Sequence, residues 1–165
     1  MWIGGDGTGI TNDSVNIIFD SGKHFLEEPI LFESSISPTS STMQIVDEKL
    51  KITCINTGGL AEYNSVVFNG GNKIDVTNYD LLIAVFDVYQ PNQYGNCCMY
   101  IGDVKVSNGR SSDGIVSNRV ENQGTKSGLV LAIDISALQG EKYINFCVQG
   151  YAAMSYVEIK KMFLI

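Results

Sequence analysis

The chain predicts an all-β fold, an antiparallel β-sandwich of jelly-roll type, and three observations carry that prediction. The final third reads as three closely spaced strands, 128–138 (GLVLAIDISAL), 142–151 (KYINFCVQGY) and 154–165 (MSYVEIKKMFLI), parted only by short turns. In the middle one Ile144, Phe146 and Val148 alternate with Tyr143, Asn145, Gln149 and Tyr151, a period of two that puts one set in a core. Elsewhere short strands are punctuated by Gly-rich turns with no sustained helical period, and a count of about eight to ten strands fits a double-sheet jelly roll. No fixed repeat points to a solenoid or propeller.

The strands follow in order. Residues 1–13 are rich in Gly, Thr, Asn and Asp and read as a flexible arm, leaving 14–165 as one sandwich domain. Strands are expected over 15–20 and over 27–32, where Pro29 marks an edge or a strand start. A polar loop over 34–42 leads to a hairpin, 43–46 and 49–55, turning at Asp47-Glu48. Leu50, Ile52 and Cys54 form its inward set, and Lys49, Lys51 and Thr53 its outward set. Residues 64–69 form a strand closed by Gly70-Gly71. Residues 81–90 (LLIAVFDVYQ) are apolar on both faces over their first half, which predicts a central strand covered at least in part on both sides. Residues 97–107 follow the turn at Pro91. The long polar stretch 108–127 carries an irregular strand near 115–120, and its length marks it as functional or mobile.

Composition excludes several classes of function. The 44% apolar content fits a globular chain, and the formal net charge of −7 opposes nucleic acid and acidic membrane surfaces as partners. No apolar run approaches the roughly 20 residues of a membrane-spanning helix. The opening MWIGGDGTGI lacks the basic segment and apolar core of a signal peptide. Cys54, Cys97, Cys98 and Cys147 show no spacing that suggests pairing, and adjacent Cys97 and Cys98 are badly placed to bridge each other. All four are expected to be reduced, as in a protein assembled in a cytosol.

No catalytic residue is expected. The single histidine is His24, and no G-x-S-x-G supplies a nucleophile. Asp87 and Asp103 lie late in strands that could be neighbours, but no carboxylate pair stands out for glycosidase chemistry. Gly4–Gly9 departs from the calcium repeat G-G-x-G-x-D and from G-x-G-x-x-G. No metal site is expected from the cysteines.

The remaining signal is aromatic and amide-rich. Tyr143, Asn145, Gln149 and Tyr151 share a strand face; Asp87 and Tyr89 share another and join them if the two strands lie in one sheet. Tyrosine rings stack on the apolar faces of sugars while amides and carboxylates bond hydroxyls. The same composition suits a subunit interface or an ordinary sheet surface, so three occupants stay open for these ligand-binding candidates.

Residues 73–82 (KIDVTNYDLL) lead into an apolar strand, and 131–138 (LAIDISAL) with Gly140 precede the penultimate one. This order resembles the β-sandwich modules of phage tail-fibre and baseplate appendages, and also the carbohydrate-binding modules of gut bacteria. In both, a D-[VL]-T-x-Y segment precedes a core strand and D-I-S-x-L-x-G precedes the penultimate strand. The turn chemistry has a physical reading. Asp75 and Thr77 bond nearby backbone amides, Ser136 caps its turn, Leu138 packs beneath it and Gly140 takes a left-handed conformation. The resemblance implies a recognition or structural role. The first reading is a non-enzymatic phage virion or tail-appendage protein, assembled in the bacterial host cytoplasm. Its expected partners are other virion subunits or itself, as a homo-oligomer such as a trimer, with host-surface glycan for receptor binding. The alternative is a carbohydrate-binding module of a bacterial extracellular protein. Related jelly-roll modules imply a structural calcium, for which Asp20, Asp75 and Asp134 are candidates; no other cofactor is expected.

Overall fold

The computed structural model describes residues 15–21, 24–25, 29–33, 40–56, 62–90, 96–106, 116–121, 124–150 and 153–165. The elements are β1 (Asn16–Asp20), β2 (His24–Phe25), β3 (Ile30–Glu33), β4 (Ser40–Val46), β5 (Lys49–Asn56), β6 (Glu62–Val67), β7 (Ile74–Asp75), β8 (Leu81–Gln90), β9 (Asn96–Gly102), β10 (Val116–Glu121), β11 (Gly124–Asp134), β12 (Glu141–Gly150) and β13 (Ala153–Leu164). All pairings are antiparallel. They build two sheets, the double layer that the alternating strands require.

The seven-stranded sheet runs β11-β8-β13-β1-β2, with β5 and then β4 lying beside the first half of β13. The six-stranded sheet runs β10-β9-β12-β6-β3, with β7 added at the start of β12. Between them lies the core. Ile144, Phe146 and Val148 of β12 are fully buried, as their alternation predicts. They meet Leu82, Ala84, Phe86 and Val88 of β8, Val157 and Ile159 of β13, and Leu50, Ile52 and Cys54 of β5 in one apolar cluster. Phe86 and Phe146 close the centre edge to face, with ring centroids 5.3 Å apart at 72°.

The hairpin turns through Asp47 and Glu48 with φ of 48° and 66°, the left-handed pair that a two-residue connection needs to match strand twist. Its first strand begins at Ser40, so part of the loop expected over 34–42 is strand. Residues 128–138 also differ from expectation. The strand starts at Gly124 and stops at Asp134, because Asp134 and Ser136 close a turn there. The strand expected near 115–120 is β10. Strands β2 and β7, two residues each, carry too little pattern to be read from sequence.

Strand β8 is central, between β11 and β13, and is covered in part on both sides as expected: its inner face is fully buried, and Leu81, Ile83 and Val85 are half-buried on the outside. Their apolar character matches cross-strand neighbours, Phe163 beside Ile83 and Val130 beside Val85. The arm over 1–13 and Tyr151 lie outside the described residues.

Candidate functional site

The outward face of the six-stranded sheet is polar and covered. Register places Tyr100 beside Asn145, Cys98 beside Cys147 and Asn96 beside Gln149 on β9 and β12, with Ser65 of β6 beside Cys147. Asn145, Gln149, Asn96 and Ser65 are all buried. Buried amides are costly without partners, so their bonding is decisive. The Asn96 Nδ2 donates to Gln149 Oε1, and the Cys98 thiol donates to Asn96 Oδ1 at 3.4 Å. The Asn145 Nδ2 donates to Ser65 Oγ at 3.1 Å and to the Val106 carbonyl at 3.3 Å. The Asn145 carbonyl oxygen, by contrast, is buried and accepts no hydrogen bond from the described residues. Val106 belongs to the segment leaving β9 and packs with Cys98, Tyr100 and Cys147 in a small apolar cluster of its own. Apolar surroundings push the Cys147 thiol up to about 12, against a downward pull from Ser65.

Tyr143 stands at the open end of this face, half-buried. Lys73 Nζ lies 5.3 Å from its ring centroid and Lys105 Nζ 5.2 Å. Lys142 Nζ donates to Asp103 Oδ1 at 2.8 Å, and this bond holds the Asp103 carboxyl below its ordinary range.

Asp87 and Tyr89 do not join this face, because β8 lies in the other sheet. They sit on the outward side of the seven-stranded sheet, where Tyr89 stacks on its register partner Tyr156 at 5.1 Å and 16°. Lys51 Nζ lies 3.8 Å above the Tyr156 ring centroid. One step along, Asp87 and Glu158 are directly opposed like charges, an unfavourable cross-strand pair. Lys49 bridges them, at 3.3 Å from Asp87 Oδ2 and 3.2 Å from Glu158 Oε2. Those bonds, to Glu158 first and then Asp87, raise the Lys49 pKa. Lys160 Nζ reaches Asp87 Oδ1 at 2.7 Å from a bulge where register shifts between Ile159 and Lys161. A second bulge, in β11, places the Gly128 amide 2.8 Å from the same oxygen, with Gly128 at φ 69° where a side chain would be strained. Partial burial works against the Asp87 charge, but Lys160, the Gly128 amide and Lys49 outweigh it and depress the pKa.

The carboxylates considered for catalysis and calcium are dispersed. Asp87 and Asp103 lie in or beside strands of opposite sheets, each bound to lysine. Asp75 and Asp134 accept hydrogen bonds within their own turns, and Asp20 Oδ2 lies 3.5 Å from Lys161 Nζ. Among the described residues no group of three or more His, Cys, Asp and Glu side chains is arranged to hold a metal ion.

No protein-family model matches the chain, and no curated protein matches it by sequence. Solved structures do match. The family 11 carbohydrate-binding module of the cellulosomal cellulase Lic26A-Cel5E of Clostridium thermocellum superposes with a TM-score of 0.55 at 12% identity, over 92% of this chain and 94% of that one. A family 29 carbohydrate-binding module from Piromyces equi gives 0.51 at 9% identity, covering 91% and 88%. A point mutant of a family 29 module gives 0.53 at 11%, covering 91% and 89%. The likeness is one of fold. It agrees with the two packed antiparallel sheets described above.

Several residues of these two faces were missed from sequence. Tyr156, Glu158 and Lys160 alternate with Val157 and Ile159, so period two alone marks them as outward. Lys73 and Lys105 carry no such signal. They reach Tyr143 from the residue just before the two-residue strand β7 and from an irregular segment, and neither placement follows a local pattern.

Proposed function

We propose that this chain is a non-catalytic carbohydrate-binding module whose ligand site is the outward face of the six-stranded sheet. The fold it shares with carbohydrate-binding modules supports this reading over a virion role, since the neighbours named above are such modules. The observation that carries the site is Asn145. Its amide hydrogens are both engaged while its carbonyl oxygen is buried and unpaired among the described residues, between the Asn96–Gln149 amide pair and the Tyr143 ring. An unmet buried acceptor costs on the order of 1–3 kcal/mol, and a sugar hydroxyl is a suitable donor to meet it.

The test is calorimetry against a panel of neutral plant and microbial oligosaccharides, with Tyr143→Ala and Asn145→Ala beside the parent protein. Binding by the parent, weakened about fivefold or more in Tyr143→Ala with the circular dichroism spectrum unchanged, supports the site. Absence of glycan binding overturns the function. Binding that is unaltered in both variants overturns the site.

A further inference from the structure

In a chain carrying seven excess negative charges, two ammonium groups converge on one tyrosine. Lys73 lies just before β7, and Lys105 lies in the segment leaving β9; both hold Nζ within 5.3 Å of the Tyr143 ring centroid. Lys142 brings a third ammonium to the same end of β12, but Asp103 binds it at 2.8 Å. Among the described residues the other carboxylates nearby are Asp75 and Glu141, register partners one step further along β7 and β12. Asp75 is turned to the amide and hydroxyl of Thr77. Lys73 adds to the pull on the Asp103 carboxyl, which Lys142 binds first, so its charge is partly offset there. Lys73 and Lys105 both face an aromatic ring, whose quadrupole attracts each by about 0.5–1 kcal/mol at an exposed site but carries no net charge to neutralise them.

We infer that Lys73 and Lys105, across Tyr143, bind the carboxylate or sulfate group of an acidic glycan. This rests on the reading of the adjoining amide face as a sugar site. Each ammonium group offers three donors to the anion, and the sugar bearing it lies against Tyr143. The overall negative charge repels a dense polyanion, so the ligand carries isolated charges on a short or sparsely substituted chain.

Calorimetry with trigalacturonate, with a sulfated galacto-oligosaccharide and with a neutral oligosaccharide tests this, using the parent and the Lys73→Gln/Lys105→Gln double variant. The parent should bind an acidic sugar, and the carboxylate and sulfate arms identify which anion it takes. The double variant should lose tenfold or more on the acidic sugar and less than twofold on the neutral one, with an unchanged melting temperature. The Lys73→Arg/Lys105→Arg variant should retain acidic binding. Raising NaCl from about 20 to about 200 mM should weaken acidic binding alone. Equal acidic binding by the double variant overturns the inference, as does a parent that binds neutral but not acidic sugars. If no sugar binds, titration with inorganic sulfate followed by NMR at the Tyr143 ring separates the two readings. A shift in the parent that vanishes in the double variant keeps the anion site while the glycan reading fails. No shift in either overturns both.

Discussion

The hydroxyl of Thr77 accepts a hydrogen bond from the amide of Gly140 at 2.9 Å, joining two turns 63 residues apart. The turns are built alike. Asp75 Oδ1 accepts from the amide and hydroxyl of Thr77 at 3.0 and 2.6 Å; Asp134 Oδ1 accepts from those of Ser136 at 3.0 and 2.7 Å. The next residue after each aspartate, Val76 or Ile135, is fully buried. Tyr79 and Leu138 then donate their amides to Val76 and Ile135 at 3.2 and 2.8 Å and pack on the core. The copies interlock, with the Val76 amide on the Gly140 carbonyl and the Ile135 amide on the Asp80 carbonyl. The D-V-T and D-I-S segments are thus two halves of one clasp between the sheets.

Thr77→Val should open that clasp, because valine can neither accept from Gly140 nor donate to Asp75. The lost Gly140 bond should cost about 1 kcal/mol in urea denaturation, and Thr77→Ser should recover most of it. There is also a pH signature. The side-chain bond from Thr77, then its amide, depresses the Asp75 pKa. A depressed folded-state pKa contributes stability above the ordinary carboxylate range and loses it as pH falls through the folded value. Acid titration of stability should therefore be shallower in Thr77→Val than in the parent.

Phe146→Ala should be among the most damaging single changes. The ring is fully buried and meets Phe86 edge to face at 5.3 Å, so truncation leaves a cavity between the sheets. A loss of about 3–5 kcal/mol in equilibrium denaturation is expected, and less than about 1 kcal/mol would contradict the packing.

Legibility in the sequence followed the length scale of the interaction. The faces of β12 and β5 were readable because alternation is local: Phe146 in and Asn145 out follows from one residue's offset. The D-V-T and D-I-S turns were readable for the same reason, as the aspartate bonds lie two residues away. Sheet membership was not, since it depends on pairings between distant segments; hence Tyr89 and Tyr143 ended on opposite sides of the molecule. Burial of Asn145 was equally hidden, because the Val106 carbonyl that covers it arrives from 39 residues away.

Glu48→Gly should stabilise the chain. Asp47 and Glu48 both adopt positive φ, a conformation costing a residue with a Cβ roughly 1–2 kcal/mol that glycine avoids. Part of that gain is offset by the freedom glycine adds to the unfolded chain. The net expectation is a rise of about 2 °C in melting temperature, read by calorimetry. A fall would mean that the Glu48 side chain contributes more than its backbone strain removes.

Cys147 predicts the alkaline limit of stability. Burial lifts its thiol from an ordinary 9.0 to about 12, with Cys98 adding to the rise and Ser65 opposing it. In the unfolded chain the same thiol ionises from about pH 9, so between pH 9 and pH 12 the unfolded state has released a proton that the folded state keeps. The raised folded value thus gives stability that is intact below the unfolded pKa and lost as pH rises. The loss should be roughly 1 kcal/mol per pH unit across that window. Tyrosine and lysine titrate there too, so the comparison that isolates Cys147 is Cys147→Ala. This variant starts less stable from the lost packing, and its stability should decline less steeply between pH 9 and pH 11. Parallel declines would show that Cys147 ionises in the folded protein, and that the cluster of Cys98, Tyr100, Val106 and Cys147 admits water.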